Sequence, residues 1–177
     1  MIETERLLTQ RLTEADLPWL IEMRSPEPVN RYLGGTTLQN PEKLTQRIKF
    51  YIECYEKVGF GSCATILKST GEWMGTSGLQ PLEDTGEIEV GYNFSEKFWR
   101  QGFGTEICMG WLKYGFRTCG LERIVAVAIP ENVGSWRIME KCGMTYEKTE
   151  PHYGIDCVFY AVSRSDFERH LSTMPST

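Results

Sequence analysis

The run Phe98-Trp99-Arg100-Gln101-Gly102-Phe103-Gly104-Thr105-Glu106 joins the end of a strand-like segment to the start of a helix through two glycines. Without Cβ atoms at 102 and 104 the backbone can curl tightly. The N–H groups from about Arg100 to Thr105 can then converge on one anion, where the helix dipole adds positive potential, and the chemistry this suits is phosphate binding. Two named phosphate motifs are excluded. A P-loop needs Gly-Lys-Ser/Thr, which does not occur, and the dinucleotide fingerprint needs a third small residue where this chain has Ile107. A Gly-x-Gly turn alone also serves as an ordinary strand-to-helix connection, and Arg100 reads either as a charge-assisted phosphate ligand or as a solvated loop residue. Just upstream, Glu87 and Glu89 share one face of the strand that feeds the loop, opposite Ile88 and Val90. Each is a candidate proton acceptor or a strand carboxylate in a cross-strand ion pair. A cysteine nucleophile would need a histidine nearby, and Cys142 is better explained as a core residue before Gly143.

The surrounding elements follow from hydrophobic period and punctuation. Thr13-Glu14-Ala15-Asp16 is a capping box that opens a helix through about Arg24, with Leu17, Leu20 and Ile21 as its buried stripe. Ser25-Pro26-Glu27-Pro28 is turn chemistry. Pro41 starts a second helix that turns Leu44, Ile48, Tyr51, Ile52 and Tyr55 to the core. From Phe60 the period changes to two, giving strands over 60–68, 73–79 and 87–94, the last of which delivers the chain into the glycine loop. A helix over 104–118, a strand over 123–129, a short helix over 135–142, a hairpin over 145–163 around Gly154 and a final helix from Ser165 complete the order. This is mixed α/β with one sheet covered on both faces. No repeat or linker divides the chain, so one domain over 1–177 with a mobile tail over 173–177 is expected.

Composition removes several classes. With 177 residues and 41% hydrophobic content the chain can build one core. No run approaches the roughly 18 apolar residues of a membrane helix, and Met1-Ile2-Glu3-Thr4-Glu5 is no signal peptide, so a cytoplasmic location without membrane association is expected. A net charge of −5 without a basic cluster argues against nucleic acid. Six cysteines without Cys-x-x-Cys spacing and only two histidines predict reduced, mostly buried thiols and no metal site.

The stretch Asn132-Val133-Gly134-Ser135-Trp136-Arg137-Ile138-Met139-Glu140-Lys141-Cys142-Gly143-Met144 resembles the Asn-x-x-Ser/Ala…Glu-Lys-x-Gly-Phe segment of the GNAT acetyltransferases, and Gly102-Phe103-Gly104-Thr105-Glu106 resembles their pyrophosphate loop. Residues 4–16 resemble the opening of one branch, the ribosomal-protein-alanine N-acetyltransferases. The resemblance implies a central mixed sheet of about seven strands, splayed between the strand ending near Phe94 and the one beginning near Arg123. It implies acetyl transfer from acetyl-CoA to a primary amine by direct attack in a ternary complex, in a monomer or homodimer. Residue by residue, it places the coenzyme pyrophosphate on the amides of Arg100, Gln101, Gly102, Phe103, Gly104 and Thr105. An oxyanion-binding N–H falls near Tyr92 to Phe94. Asn132 either bonds the coenzyme arm or caps its loop, Glu89 is the preferred base, and Ser135 is either the proton donor to the thiolate or a helix cap. Trp99 stands where many members have Gln or Arg, and Met139 where many have a proton-donating Tyr. The lost Tyr supports an alternative, a catalytically silent coenzyme-binding sensor. The acceptor implied first is a peptide or protein α-amine, and second a small amine or amino-acid-like metabolite.

Overall fold

Two hydrophobic periods alternate along the chain, and each folds into the element that its period dictates. The computed structural model describes residues 1–35 and 39–174. The period-two segments form β1 (Leu7–Arg11), β2 (Ser62–Leu67), β3 (Glu72–Pro81), β4 (Ile88–Phe94), β5 (Arg123–Ala128), β6 (Thr145–His152) and β7 (Ile155–Ser163). The helices are α1 (Leu17–Arg24), α2 (Glu27–Asn30), α3 (Pro41–Val58), α4 (Phe103–Arg117), α5 (Val133–Lys141) and α6 (Arg164–Thr173). Residues 175–177 of the expected mobile tail lie outside the described residues.

The strands form one sheet in the order β1-β2-β3-β4-β5-β7-β6. Every neighbouring pair is antiparallel except β4 with β5. A parallel pair needs a crossover, which the glycine loop and α4 supply. β4 and β5 share a single paired position, Glu89 with Val125. Beyond it β4 continues to Phe94 against β3 alone, and β5 continues to Ala128 against β7 alone. The sheet therefore splays in its middle, as the sequence resemblance implies.

Each face of the sheet is buried by helices with matching apolar stripes. Ile107, Trp111, Leu112 and Phe116 of α4, with Phe167 of α6, pack against Leu79, Val90 and Ile124. On the other face Leu20 and Met23 of α1 and Leu44 and Ile48 of α3 pack with Leu12 and Ala64. Trp99 touches both clusters and donates its indole N–H to the Phe94 carbonyl at 2.7 Å, so its side chain is committed to structure.

The N-terminal helical segment differs from the expectation in three respects. The capping box forms, with the Thr13 N–H and hydroxyl donating to the Asp16 carboxylate at 2.7 and 2.9 Å. It opens a 3-10 turn at Glu14–Asp16, however, and α1 begins only at Leu17. The Pro18 ring would clash with the carbonyl four residues back, which prevents one continuous helix. The Ser25–Pro28 stretch contains the helical turn α2, with Pro28 in its first turn where no N–H is needed. The fully buried side of α1 is Leu20, Met23 and Arg24, with Leu17 and Ile21 only half-buried.

The register makes opposite demands on two glycines. A Cβ at Gly78 would sit 2.4 Å from the Gly61 carbonyl oxygen and 2.5 Å from the Ser62 Cα, whereas one at Gly91 meets nothing within 4 Å. Gly78→Ala is expected to lose about 1–3 kcal/mol in urea unfolding, and Gly91→Ala to stay within about 0.5 kcal/mol of wild type. Equal losses would contradict this register.

Candidate functional site

The parting of β4 from β5 opens a cavity of about 150 Å³. Val90, Gly91, Tyr92 and Asn93 line one wall, and Val127, Ala128 and Ile129 the other. α5 contributes Ser135 and Met139, the α1–α3 side contributes Arg24, Gln39, Arg47 and Tyr51, and the tip of the β6–β7 hairpin contributes Tyr153. Glu89, at the one position shared by β4 and β5, also lines the cavity. The fold thus brings Glu89, Tyr92 and Ser135 to one space. Phe94 instead lies in the core beneath it, and Asn132 lies at its margin as the cap of α5.

Glu89 is 5% exposed, so it is no solvent-facing strand carboxylate. It accepts the Tyr153 hydroxyl at 2.5 Å and the Gln80 side-chain amide. Burial pushes its pKa up, and the Tyr153 and Gln80 hydrogen bonds and the Arg47 charge oppose this only in part, so the value stays raised. The ion-pair reading describes Glu87, which accepts Arg123 Nε at 3.1 Å and does not line the cavity. Tyr153 holds its place in the left-handed region, at φ 52. Its N–H donates to Glu83 at 3.1 Å, and Glu83 and Glu150 each hydrogen-bond one ring nitrogen of buried His152 at 2.9 Å. This clamp fixes the hairpin tip that carries the Tyr153 hydroxyl.

Arg24, also in the lining, is 3% exposed at the end of α1. Its Nη2 donates to the Tyr51 hydroxyl at 3.0 Å and to Thr76 Oγ1 at 3.1 Å, and its Nη1 to Gln39 Oε1 at 3.4 Å. The buried Nε–H has no partner among the described residues. The Arg47 guanidinium stands 5.4 Å from the centre of the Tyr153 ring. Neither arginine forms a salt bridge among the described residues. Burial would raise the Tyr51 pKa, but the charges of Arg24 and Arg47 and the Arg24 hydrogen bond outweigh it and hold the phenol below its usual value. Asn93 donates to Thr76 Oγ1 at 2.9 Å, and its buried Oδ1 has no partner among the described residues.

On the α5 side, the cap is Asn132, whose Oδ1 accepts the Ser135 N–H at 3.3 Å. Capping therefore does not occupy the Ser135 hydroxyl, which makes no hydrogen bond among the described residues. The Ser135 carbonyl accepts the Tyr92 hydroxyl at 3.0 Å, and burial pushes the Tyr92 pKa up, which keeps that hydroxyl a donor. Met139 is buried and offers no proton.

At the glycine loop, Arg100 and Gly102 take left-handed φ values of 60 and 83. The amides from Arg100 to Thr105 donate to no backbone carbonyl among the described residues, and the first such bond runs from the Glu106 N–H to the Gly102 carbonyl at 3.1 Å. Consecutive unpaired donors at a helix start suit a diphosphate, so the residues fit the group expected there. The loop is anchored from the N-terminal segment. Glu106 accepts the Thr4 hydroxyl at 2.6 Å, the Arg6 N–H at 2.8 Å and Arg6 Nε at 2.7 Å, while Arg6 Nη1 donates to the Gln101 carbonyl at 3.1 Å. Burial raises the Glu106 pKa, but these donors outweigh it and hold the carboxyl low. Gly104 has a packing role as well, since a Cβ there would sit 2.5 Å from Ile138 Cδ1 on α5.

Reading the residues alone misses Arg24, Arg47, Tyr51, Gln80 and Tyr153 as site residues. Only one local signal existed, the helical spacing of Arg47 and Tyr51, a turn apart beside buried Ile48. Arg24 looked like a helix end and Tyr153-Gly154 like a tight turn.

Comparison with known proteins agrees with this geometry. Residues 6–145 match the acetyltransferase (GNAT) domain model. The chain is 29% identical to the uncharacterised N-acetyltransferase YoaA of Bacillus subtilis over 148 residues, covering 83% of this chain and 84% of the relative. It is 26% identical to the uncharacterised N-acetyltransferase p20 of Bacillus licheniformis over 145 residues, covering 81% and 82%. A GNAT-family acetyltransferase from Bacillus anthracis superposes with a TM-score of 0.74 at 27% identity, covering 93% of this chain and 98% of that one. With the splayed sheet, the glycine loop and the Asn132–Met144 segment in place, the chain belongs to the GNAT acetyltransferases and is an acetyl-CoA-dependent N-acetyltransferase.

Proposed function

We propose that the chain, acting as one domain, acetylates a primary amine by direct attack in a ternary complex, with Glu89 as base and Ser135 as proton donor to the leaving thiolate. What carries this reading is the convergence of both side chains on one cavity where the sheet parts. Acetyl-CoA supplies an electrophilic thioester carbonyl, and the amides of Arg100 to Thr105 are its anchor. Glu89 takes a proton from the acceptor's ammonium, directly or through water, and its raised pKa makes it a stronger base than an ordinary carboxylate. The amine nitrogen bonds to the acetyl carbon as the carbon–sulfur bond breaks, and the second proton on that nitrogen passes to solvent, as does the one held by Glu89. Ser135 donates its hydroxyl proton to the sulfur and recovers one from solvent. The edge of β4 beyond Glu89, without a partner on β5, offers the N–H that meets the developing oxyanion.

The cavity that the acceptor and the reacting acetyl group would share is small, about 150 Å³, the size of an engineered cavity that takes one benzene. This supports a small amino-acid-like amine over the side chains and backbone of a longer peptide, whose body would have to stay outside. The silent-sensor alternative rests on Met139, and coenzyme thiol release with any amine would remove it.

Glu89→Gln should depress the rate most at neutral pH and recover part of it as solution supplies neutral amine. An α-amine with a pKa of about 7.7–8.0 predicts a mild deficit at pH 7, and an alkyl amine of about 10.4 a severe one. A profile parallel to wild type from about pH 6 to pH 10 would return the proton to solvent.

Stability should respond in the opposite sense. A carboxyl with a raised folded pKa contributes stability that is fully present below the ordinary carboxylate range and lost as pH rises through the raised value. Glu89→Gln removes that loss, so the variant should gain on wild type in urea unfolding between about pH 4 and pH 8. A constant difference across that range would show that Glu89 titrates normally.

For Ser135→Ala, kcat should fall while coenzyme affinity and stability hold, the latter within about 0.5 kcal/mol. Asn132→Ala should instead lose the cap, about 1 kcal/mol. Full turnover in Ser135→Ala would assign the proton to water.

A further inference from the structure

We infer that the acceptor amine carries its own carboxylate a few bonds away, and that Arg24 and Arg47 bind it. The inference rests on the cavity being the acceptor site. Three observations lead there. Arg24 is 3% exposed and lines the cavity, yet its neighbours are neutral, namely the Tyr51 and Thr76 hydroxyls and the Gln39 carbonyl oxygen. Its buried Nε–H has no partner among the described residues. A desolvated guanidinium without an anion is costly, and its neutral neighbours leave the Nε–H and one Nη1–H for a further acceptor. Second, Arg47 also lines the cavity, without a salt bridge among the described residues, while Glu89 is the one acid in the lining among the described residues. The amine must approach Glu89, which leaves two cations facing the rest of the acceptor. Third, Asn93, which also lines the cavity, has a buried Oδ1 without a partner among the described residues, so the polar groups around the cavity are incompletely paired. A zwitterion would bring its ammonium to Glu89 and its carboxylate to the arginines. A polyamine would meet the repulsion of two arginines, and a peptide N-terminus brings no carboxylate next to its amine.

The test uses the whole chain with acetyl-CoA and matched acceptors, glycine, alanine, serine and glutamine against their carboxamides. A neighbouring carboxylate keeps an ammonium protonated to higher pH. Intrinsic reactivity at neutral pH therefore favours the carboxamide, and a preference for the acid has to come from the protein. The free acids are expected to lead in kcat/KM by at least about tenfold, the worth of one hydrogen bond to a charged group. Arg47→Gln should shrink that ratio by about the same factor. Equal rates, or carboxamides ahead, overturn the inference. Arg24→Met risks unfolding at its buried position, so half-buried Arg47 carries the genetic test, and calorimetry adds a second readout. The N-acetyl derivatives of the same four amino acids should bind the coenzyme-loaded protein, with affinity falling about tenfold in Arg47→Gln. Absence of such binding overturns the inference even where another amine is acetylated. Binding that Arg47→Gln weakens, in a chain that releases no thiol, upholds it while sinking the catalytic reading.

Discussion

One pairing, Glu89 with Val125, is the constraint on which the site depends. A parallel ladder that stops after one position leaves the inner edges of two central strands without sheet partners, and buried backbone groups tolerate that only where solvent or a ligand reaches them. The opening is held by packing rather than by mobile loops. α4 spans both halves of the sheet, with Ile107 and Trp111 in the same core as Val90 and Ile124. Hydrogen bonds then tie the two walls to their surroundings, Tyr92 to the Ser135 carbonyl and Trp99 to the Phe94 carbonyl. Groups carried on regular elements keep their positions better than groups on loops, which suits a reaction that depends on aligned neighbours.

The polar chemistry of the cavity works against the stability of the fold. Glu89 and Arg24 are both buried, and each relies on neutral hydrogen-bonding neighbours rather than a direct ion pair. The Arg24 Nε–H and Asn93 Oδ1, without partners among the described residues, each cost roughly 1–3 kcal/mol by the usual penalty for an unsatisfied buried group, a strain that the site carries. The surrounding apolar packing, from Trp111 and Phe116 to Phe167, is what makes the strain tolerable.

Much of the fold was legible in the residues because local rules act over a few positions. Period-two alternation marked β2, β3 and β4, Pro41 marked the start of α3, and Gly102 and Gly104 marked the entry to α4. The failures were local too. Pro18 split the first helix, and Pro28 entered a helical turn where only a turn was expected. At Ser135 the sequence allowed a cap or a proton donor, and the cap proved to be Asn132, three residues earlier. Between Glu87 and Glu89, two residues of one type on one strand face, alternation carries no information about which is buried.

By itself the sequence determined the element order, the glycine loop that opens α4 and the family, because glycine conformation, helix entry and hydrophobic period are properties of neighbouring residues. Only the tertiary structure decided which carboxylate is desolvated, since that depends on Gln80 of β3 and Tyr153 of the β6–β7 turn arriving from elsewhere in the chain. It alone brought Arg24 and Arg47 to the cavity that Glu89 lines, a space that exists because two distant strands part. Burial and charge proximity are sums over groups far apart in the chain, and no local pattern encodes such a sum.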